Sequence, residues 1–194
     1  AHLIDPRRRS WLHASSALSN IYLPDLSNLQ EHLQWTELLT SNRKRILRRT
    51  AWLVDQGCNC DYTYGPHRVH PQPMPQWFRD MAHRWLQAFH FTHGMFPNSV
   101  NLNLYENDAQ GVEWHADDEP LFQALNRDAA IISVSLGTTR EFSFGLRPPD
   151  KLGASYPLKG TVSSILLQHG DLCLMEGRFQ KYYLHRVPTL RPLG

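Results

Sequence analysis

The residues best placed to do chemistry lie in the run Glu113-Trp114-His115-Ala116-Asp117-Asp118-Glu119. Side chains alternate sides along an extended chain, so His115 and Asp117 project from the same face. A neutral imidazole and a carboxylate so placed can occupy neighbouring positions on one metal ion. A third ligand must come from elsewhere, and His185 stands in another β-rich run late in the sequence. Two histidines and one carboxylate make a facial triad with open positions, which suits iron(II) enzymes that activate oxygen. Zinc accepts the same ligand types, although a structural zinc site is normally closed by a fourth protein ligand. His-x-Asp is a short pattern in a chain with 11 histidines. The pair alone leaves these readings open, and its surroundings have to choose.

The elements that must position these residues begin at Ser99. Short β-rich runs follow at residues 100–105, 112–116, 131–136, 141–146, 162–167, 172–176 and 182–187, with Gly, Asp, Asn and Pro between them. This spacing predicts an antiparallel sandwich or barrel. Asn103 and Tyr105 alternate with Leu102 and Leu104, so their polar tips share one strand face. Upstream, Ser27-Asn28-Leu29-Gln30 has capping-box spacing, and Leu26, Leu29 and Leu33 form an apolar stripe, predicting a helix over 27–39. A second, basic helix is expected over 41–49, and residues 57–70 read as loop with extended pieces. After Pro71-Gln72-Pro73-Met74-Pro75, the helical repeat of Trp77, Phe78, Met81, Trp85 and Phe89 predicts a helix whose aromatic stripe serves the core. The expected fold class is α+β: a double-stranded β-helix, or jelly roll, with buttressing N-terminal helices.

With 194 residues, 41% of them hydrophobic, the chain has enough apolar side chains for a core, which excludes wholesale disorder. No apolar run approaches the roughly 20 residues of a membrane helix. No apolar stretch follows Arg7-Arg8-Arg9 as a signal peptide would require, so no membrane partner is expected. Three cysteines, an odd number, argue against a disulfide framework and for a reducing compartment, nuclear or cytoplasmic. Cys58-Asn59-Cys60 lacks a second pair and reads as a reduced loop. Net charge is +2, but the basic residues crowd the first quarter, at Arg7-Arg8-Arg9, Arg43-Lys44-Arg45 and Arg48-Arg49. Such a segment can track phosphates or form a solvated helix face.

The order of motifs adds a specific resemblance. Asn103-Leu104-Tyr105 is followed by His-x-Asp-Asp-Glu at 115–119 and by Ser-x-Ser-x-Gly-x-x-Arg-x-Phe at 133–142. His169-Gly170-Asp171-Leu172 and His185-Arg186-Val187-Pro188 come next. Over about residues 61–188 this pattern resembles the AlkB family, and within it the eukaryotic alkylated-DNA and alkylated-RNA repair demethylases. The resemblance implies an Fe(II)- and 2-oxoglutarate-dependent dioxygenase that uses O2. It further implies that His115, Asp117 and His185 bind the iron and that Asn103 and Tyr105 bind 2-oxoglutarate. Tyr62 and Tyr64 resemble the aromatic pair of a nucleotide-recognition lid, and Asp118 and Glu119 the acids near the damaged base. The implied substrate is DNA or RNA bearing N1-methyladenine or N3-methylcytosine, taken by a monomer. The implied division is a basic helical extension at 1–60 and a lid plus jelly-roll core at 61–194.

One departure stands out. The family places an arginine for the far carboxylate of 2-oxoglutarate in a strand beyond the distal histidine. Here the sequence ends at Gly194, and Arg191 lies too close to His185 for that role. The expectation is that this strand has been cut away, since a bidentate Arg–carboxylate pair is among the stronger charge-assisted contacts. Two other readings remain: the same oxygen chemistry on a protein side chain or small molecule, and a nucleic-acid-binding module with a defunct iron site.

Overall fold

Alternation of apolar and polar residues in short runs gives a structure made mostly of β-strands. The computed structural model describes residues 2–16, 26–39, 43–88, 96–149 and 153–190. In chain order its elements are β1 (His2–Asp5), β2 (Ser10–Ser15), α1 (Leu26–His32), β3 (Thr36–Leu39), β4 (Arg45–Val54), β5 (Tyr62–Tyr64), β6 (His67–Val69) and β7 (Pro71–Pro73). There follow α2 (Gln76–Ala88), β8 (Ser99–Leu104), β9 (Val112–His115), β10 (Ile131–Val134) and β11 (Arg140–Leu146). The last are β12 (Ser163–Leu167), β13 (Leu172–Gly177), α3 (Phe179–Tyr182) and β14 (Tyr183–Val187). The chain divides into two compact units, residues 1–19 with 108–194, and residues 20–107.

The first unit holds two four-stranded antiparallel sheets, ordered β1-β2-β13-β10 and β12-β11-β14-β9. Leu12, Phe142, Phe144, Leu167, Cys173, Met175 and Tyr183 from both sheets, with Phe179 of α3, form one buried cluster, a jelly-roll arrangement. The seven runs expected from residue 99 onward are all strands, with ends moved by one or two residues. The motif residues turn out to be turn chemistry as much as ligand chemistry. Asp171 Oδ2 accepts from the Gln168 amide and His169 Nδ1 from that of Gly137. Arg140 donates to the carbonyls of Gln110 and Pro188 at 2.8 and 2.7 Å. This clamps the start of β9 to the end of β14. Gly111 permits the approach, since a Cβ there would lie 2.5 Å from the Val187 carbonyl oxygen.

Residues 2–15, expected in a helical extension, form two strands of this sheet, β1 and β2, joined by one 3-10 turn at Pro6–Arg8. Ser10 and Leu12 are fully buried, and β2 runs alongside β13 from Ser15↔Leu172 to Ser10↔Gly177. Arg8 pairs with Asp5, and Arg9 with Asp128, so these two arginines already have carboxylate partners.

The second unit is a sheet in which β4 pairs with β3, β7 and β8, beside the hairpin β5–β6. Two expected helices need correction. Of the segment 41–49, expected as a basic helix, the described residues 43–49 form no helix, and from Arg45 onward they enter β4. The run Thr50-Ala51-Trp52-Leu53-Val54 is buried throughout and pairs with β8 from Arg49↔Leu104 to Val54↔Ser99, so tertiary pairing overrides the local preference of the basic residues. The helix expected over 27–39 stops at His32, and Thr36–Leu39 become β3. Gln72 fixes the change, donating to the Gln34 carbonyl and accepting from its amide. In α2 the stripe Phe78, Met81 and Trp85 is buried as expected, but Trp77 is 39% exposed and meets His32 edge-on. Ser41, Phe89 and Arg191 lie outside the described residues.

Candidate metal centre

Strand pairing brings the expected ligands together in the first unit. His115 ends β9, and its cross-strand partner in β14 is His185. Asp117 follows two residues after His115, as the turn leaves the strand. Asp117 Oδ2 lies 3.4 Å from His185 Nε2 and Oδ1 lies 3.8 Å from His115 Nε2. The ring centroids of the two histidines are 4.2 Å apart. One ligand atom from each residue falls within 4.8 Å of the others. Ligands about 2.1 Å from an ion on one octahedral face would sit about 3 Å apart, so a small inward adjustment of these side chains closes the set.

The surroundings fit a metal. His115 Nδ1 lies 2.8 Å from its own strand's Glu113 carbonyl, so this nitrogen donates and Nε2 keeps its lone pair for an ion. The Asp117 backbone amide donates to Gln180 Oε1 at 2.9 Å, and Gln180 is a buried side chain on α3. His185 is 4% exposed, with Phe142 stacked on its ring at 5.4 Å. Stacking rather than a hydrogen bond holds that ring, because its Nδ1 is buried without a partner among the described residues. Two histidines and a carboxylate, converging with one side unblocked by a fourth ligand among the described residues, can hold an ion and leave positions for other ligands.

Comparison with known proteins decides the family. Residues 10–193 match the family described as the 2OG-Fe(II) oxygenase superfamily. The chain is 38% identical over 141 residues to alpha-ketoglutarate-dependent dioxygenase alkB homolog 3 of Bos taurus, which covers 73% of this chain and 46% of that protein. The chain belongs to the AlkB family of 2OG-Fe(II) oxygenases. It also resembles the DNA oxidative demethylase ALKBH2 of Arabidopsis thaliana, at 34% identity over 47% of this chain and 32% of that one. A solved structure of OsALKBH1 shares the fold, with a TM-score of 0.60 at 15% identity over 94% of this chain and 87% of that one. The chain spans about half the length of alkB homolog 3 and about a third of the Arabidopsis ALKBH2. Family membership implies Fe(II), 2-oxoglutarate and O2 as its reagents.

The other expected site residues are differently placed. In the first unit Asp118 is paired with Arg147 at 2.7 Å, and the arginine side chain is 5% exposed. Glu119 is half-buried. In the second unit Asn103 sits in β8, and its Oδ1 accepts from Arg48 Nε at 2.8 Å. Tyr105, half-buried, follows the last residue of that strand. The two lid candidates differ. Tyr62 is 5% exposed and lies against Trp52 with centroids 5.3 Å apart, so its ring faces the interior. Tyr64 is more open, with the Arg48 guanidinium on its ring at 5.2 Å and the His67 ring stacked at 6.4 Å.

Gln180, Arg147 and Arg48 were not foreseen from the sequence. Gln180 precedes His185 by five positions, and a polar residue in an otherwise aromatic run, Phe179-Gln180-Lys181-Tyr182-Tyr183, was the available hint. Arg147 and Arg48 gave none, because their partners lie 29 and 55 residues away.

Proposed function

We propose that this chain is an Fe(II)- and 2-oxoglutarate-dependent demethylase of N-alkylated bases in DNA or RNA. The observation that carries the reading is the convergence of His115, Asp117 and His185 in a chain whose relatives bear oxidative demethylase and dioxygenase names. His115, Asp117 and His185 would hold the iron, and Asn103 and Tyr105 would hydrogen-bond the carboxylates of 2-oxoglutarate. When bound, iron with 2-oxoglutarate and O2 supplies the oxidising power that converts an N-methyl to an N-hydroxymethyl group, which collapses to formaldehyde and the free base, with succinate and carbon dioxide as co-products. The protein's own part is positioning. Gln180 holds the backbone at Asp117, Phe142 holds the His185 ring, and open ligand positions admit the co-substrate.

For the base, Tyr64 is the stacking face, while Tyr62 supports the hairpin from inside against Trp52. Of the two acids, Asp118 has its charge offset by Arg147. Glu119, half-buried and two residues past Asp117, is the carboxylate we assign to a cationic lesion such as N1-methyladenine or N3-methylcytosine. No helix among the described residues is long and apolar enough to cross a membrane, and the protein would act as a monomer.

The test is a panel of methylated DNA and RNA oligonucleotides assayed for formaldehyde release and, by mass spectrometry, for loss of the methyl group. Iron- and 2-oxoglutarate-dependent loss from cationic lesions is expected. Glu119→Gln should slow those lesions more than neutral N3-methylthymine. Turnover of 2-oxoglutarate with every oligonucleotide left intact would transfer the chemistry to a protein side chain or small molecule.

A further inference from the structure

We propose that Arg48 is a positioning residue that serves co-substrate binding and base recognition at once. This rests on the reading above, in which Asn103 contacts 2-oxoglutarate and Tyr64 covers a base. Arg48 lies in β4 and is 9% exposed. Its neighbours have acidic partners, Arg45 with Glu37 and Arg49 with Glu106. Arg48 pairs with no carboxylate among the described residues. A buried cation without a counter-ion is costly, so its contacts should matter. There are two: Nε donates to Asn103 Oδ1 at 2.8 Å, and the guanidinium carbon lies 5.2 Å from the Tyr64 ring centroid. The strand register explains the reach. Asn103 is the cross-strand partner of Thr50, so Arg48 meets it on the diagonal.

The direction of the hydrogen bond has a consequence. A guanidinium can only donate, so it draws the amide oxygen of Asn103 toward itself. The Asn103 NH2 group is then turned away from Arg48, free to donate. A carboxylate can only accept, so this is the orientation that binds 2-oxoglutarate; the flipped amide would oppose oxygen to oxygen. On its other side the same guanidinium holds the Tyr64 ring by a cation–π contact. One side chain thus sets both the polarity of an amide and the seat of an aromatic ring.

Two substitutions separate these duties. Arg48→Gln puts an N–H at the same bond distance along the side chain as Nε but removes the cation. Arg48→Lys keeps a cation but puts a methylene where Nε was. The iron-loaded protein is titrated with 2-oxoglutarate without oligonucleotide, and the KM for methylated oligonucleotide is measured separately. For Arg48→Lys, 2-oxoglutarate binding should weaken on the order of tenfold or more, with oligonucleotide KM near wild type. For Arg48→Gln, 2-oxoglutarate binding should stay within about twofold, while oligonucleotide KM rises about two- to fivefold. In an Asn103→Ala background, Arg48→Lys should cause no further loss of 2-oxoglutarate binding, because Arg48 acts through that amide.

If wild type demethylates and both variants match it, or if both lose the same ligand equally, the inference is overturned and the functional reading stands. A wild type that binds 2-oxoglutarate but leaves every oligonucleotide intact overturns that reading, and the lid half of the inference with it. Should either variant melt well below wild type, Asn103→Asp asks the same question. Its carboxylate pairs with Arg48 without offering an N–H, so 2-oxoglutarate binding should fall while the melting temperature holds. Unchanged binding there would overturn the inference.

Discussion

The two compact units hold their candidate residues by different means. In the first, the ligands stand on paired strands: His115 faces His185 across β9 and β14, and the Asp117 amide is fixed by Gln180. Their positions follow from backbone hydrogen bonds and a shared core. In the second, Asn103 and Tyr64 also stand on paired strands, but one side chain, Arg48, meets both, and Tyr62 packs against Trp52. Backbone register tolerates little change, because a slip of one residue turns every side chain to the opposite face. Side-chain contacts can be exchanged singly. The comparison assigns the candidate metal ligands to the first kind of support and the Arg48 contacts to the second.

The largest effect should come from breaking the rigid side. His185→Ala should abolish iron-dependent turnover and metal binding measured by calorimetry, while circular dichroism stays that of a folded β protein. Retained activity would end the metal assignment.

A second set of variants sharpens the contrast between the units. Tyr105→Phe should raise the 2-oxoglutarate requirement by about 1.5–3 kcal/mol of binding, with little change for oligonucleotide. Tyr64→Ala should cost about 1–3 kcal/mol on oligonucleotide turnover and leave uncoupled 2-oxoglutarate consumption nearly intact. Tyr62→Ala should chiefly lower the melting temperature. If Tyr62→Ala is well folded yet selectively poor on oligonucleotides, the separation of the two rings is wrong.

The smallest effect concerns pH and the first unit alone. Burial, then the hydrogen bond to Asp5, pushes the Tyr183 phenol up to about 12. Burial acts to raise Asp5, but hydrogen bonds from Arg8 and Tyr183 outweigh it and hold that carboxyl below its usual range. The raised phenol contributes stability that is complete below its unfolded value of about 10 and is lost as pH rises toward about 12. The lowered carboxyl contributes stability above its unfolded value of about 3.9 that is lost as pH falls through its folded one. Tyr183→Phe should therefore flatten the alkaline limb of a melting-temperature profile; an unchanged limb between about pH 10 and 12 would show that the phenol does not carry it.

Legibility in the sequence follows the same division. The strands after residue 99 could be read because each is short, apolar and bounded by turn residues, and two of the three candidate ligands because they stand two apart. The first quarter was misread. Arg43-Lys44-Arg45 and Arg48-Arg49 suggested a helix, but Arg45–Val54 is a strand whose partner, Ser99–Leu104, lies more than fifty residues away in the Thr50↔Asn103 pairing. Long-range side-chain pairs such as Arg147–Asp118 leave no local periodicity to detect. Hence Asp118 could be named as an acid near the site, but its neutralisation could not.

The facing of His115 and His185 across two strands has a further consequence. The two residues are remote along the chain and become neighbours only when β9 and β14 pair in one register, beside the irregularity toward Val187↔Val112. An ion gripped by both would act as a staple between strand ends, and mass action would favour the correctly paired form over any slipped one. Metal loading would then proofread folding: a chain with its strands one step out of place could not take up the ion, and would be silent rather than wrongly active.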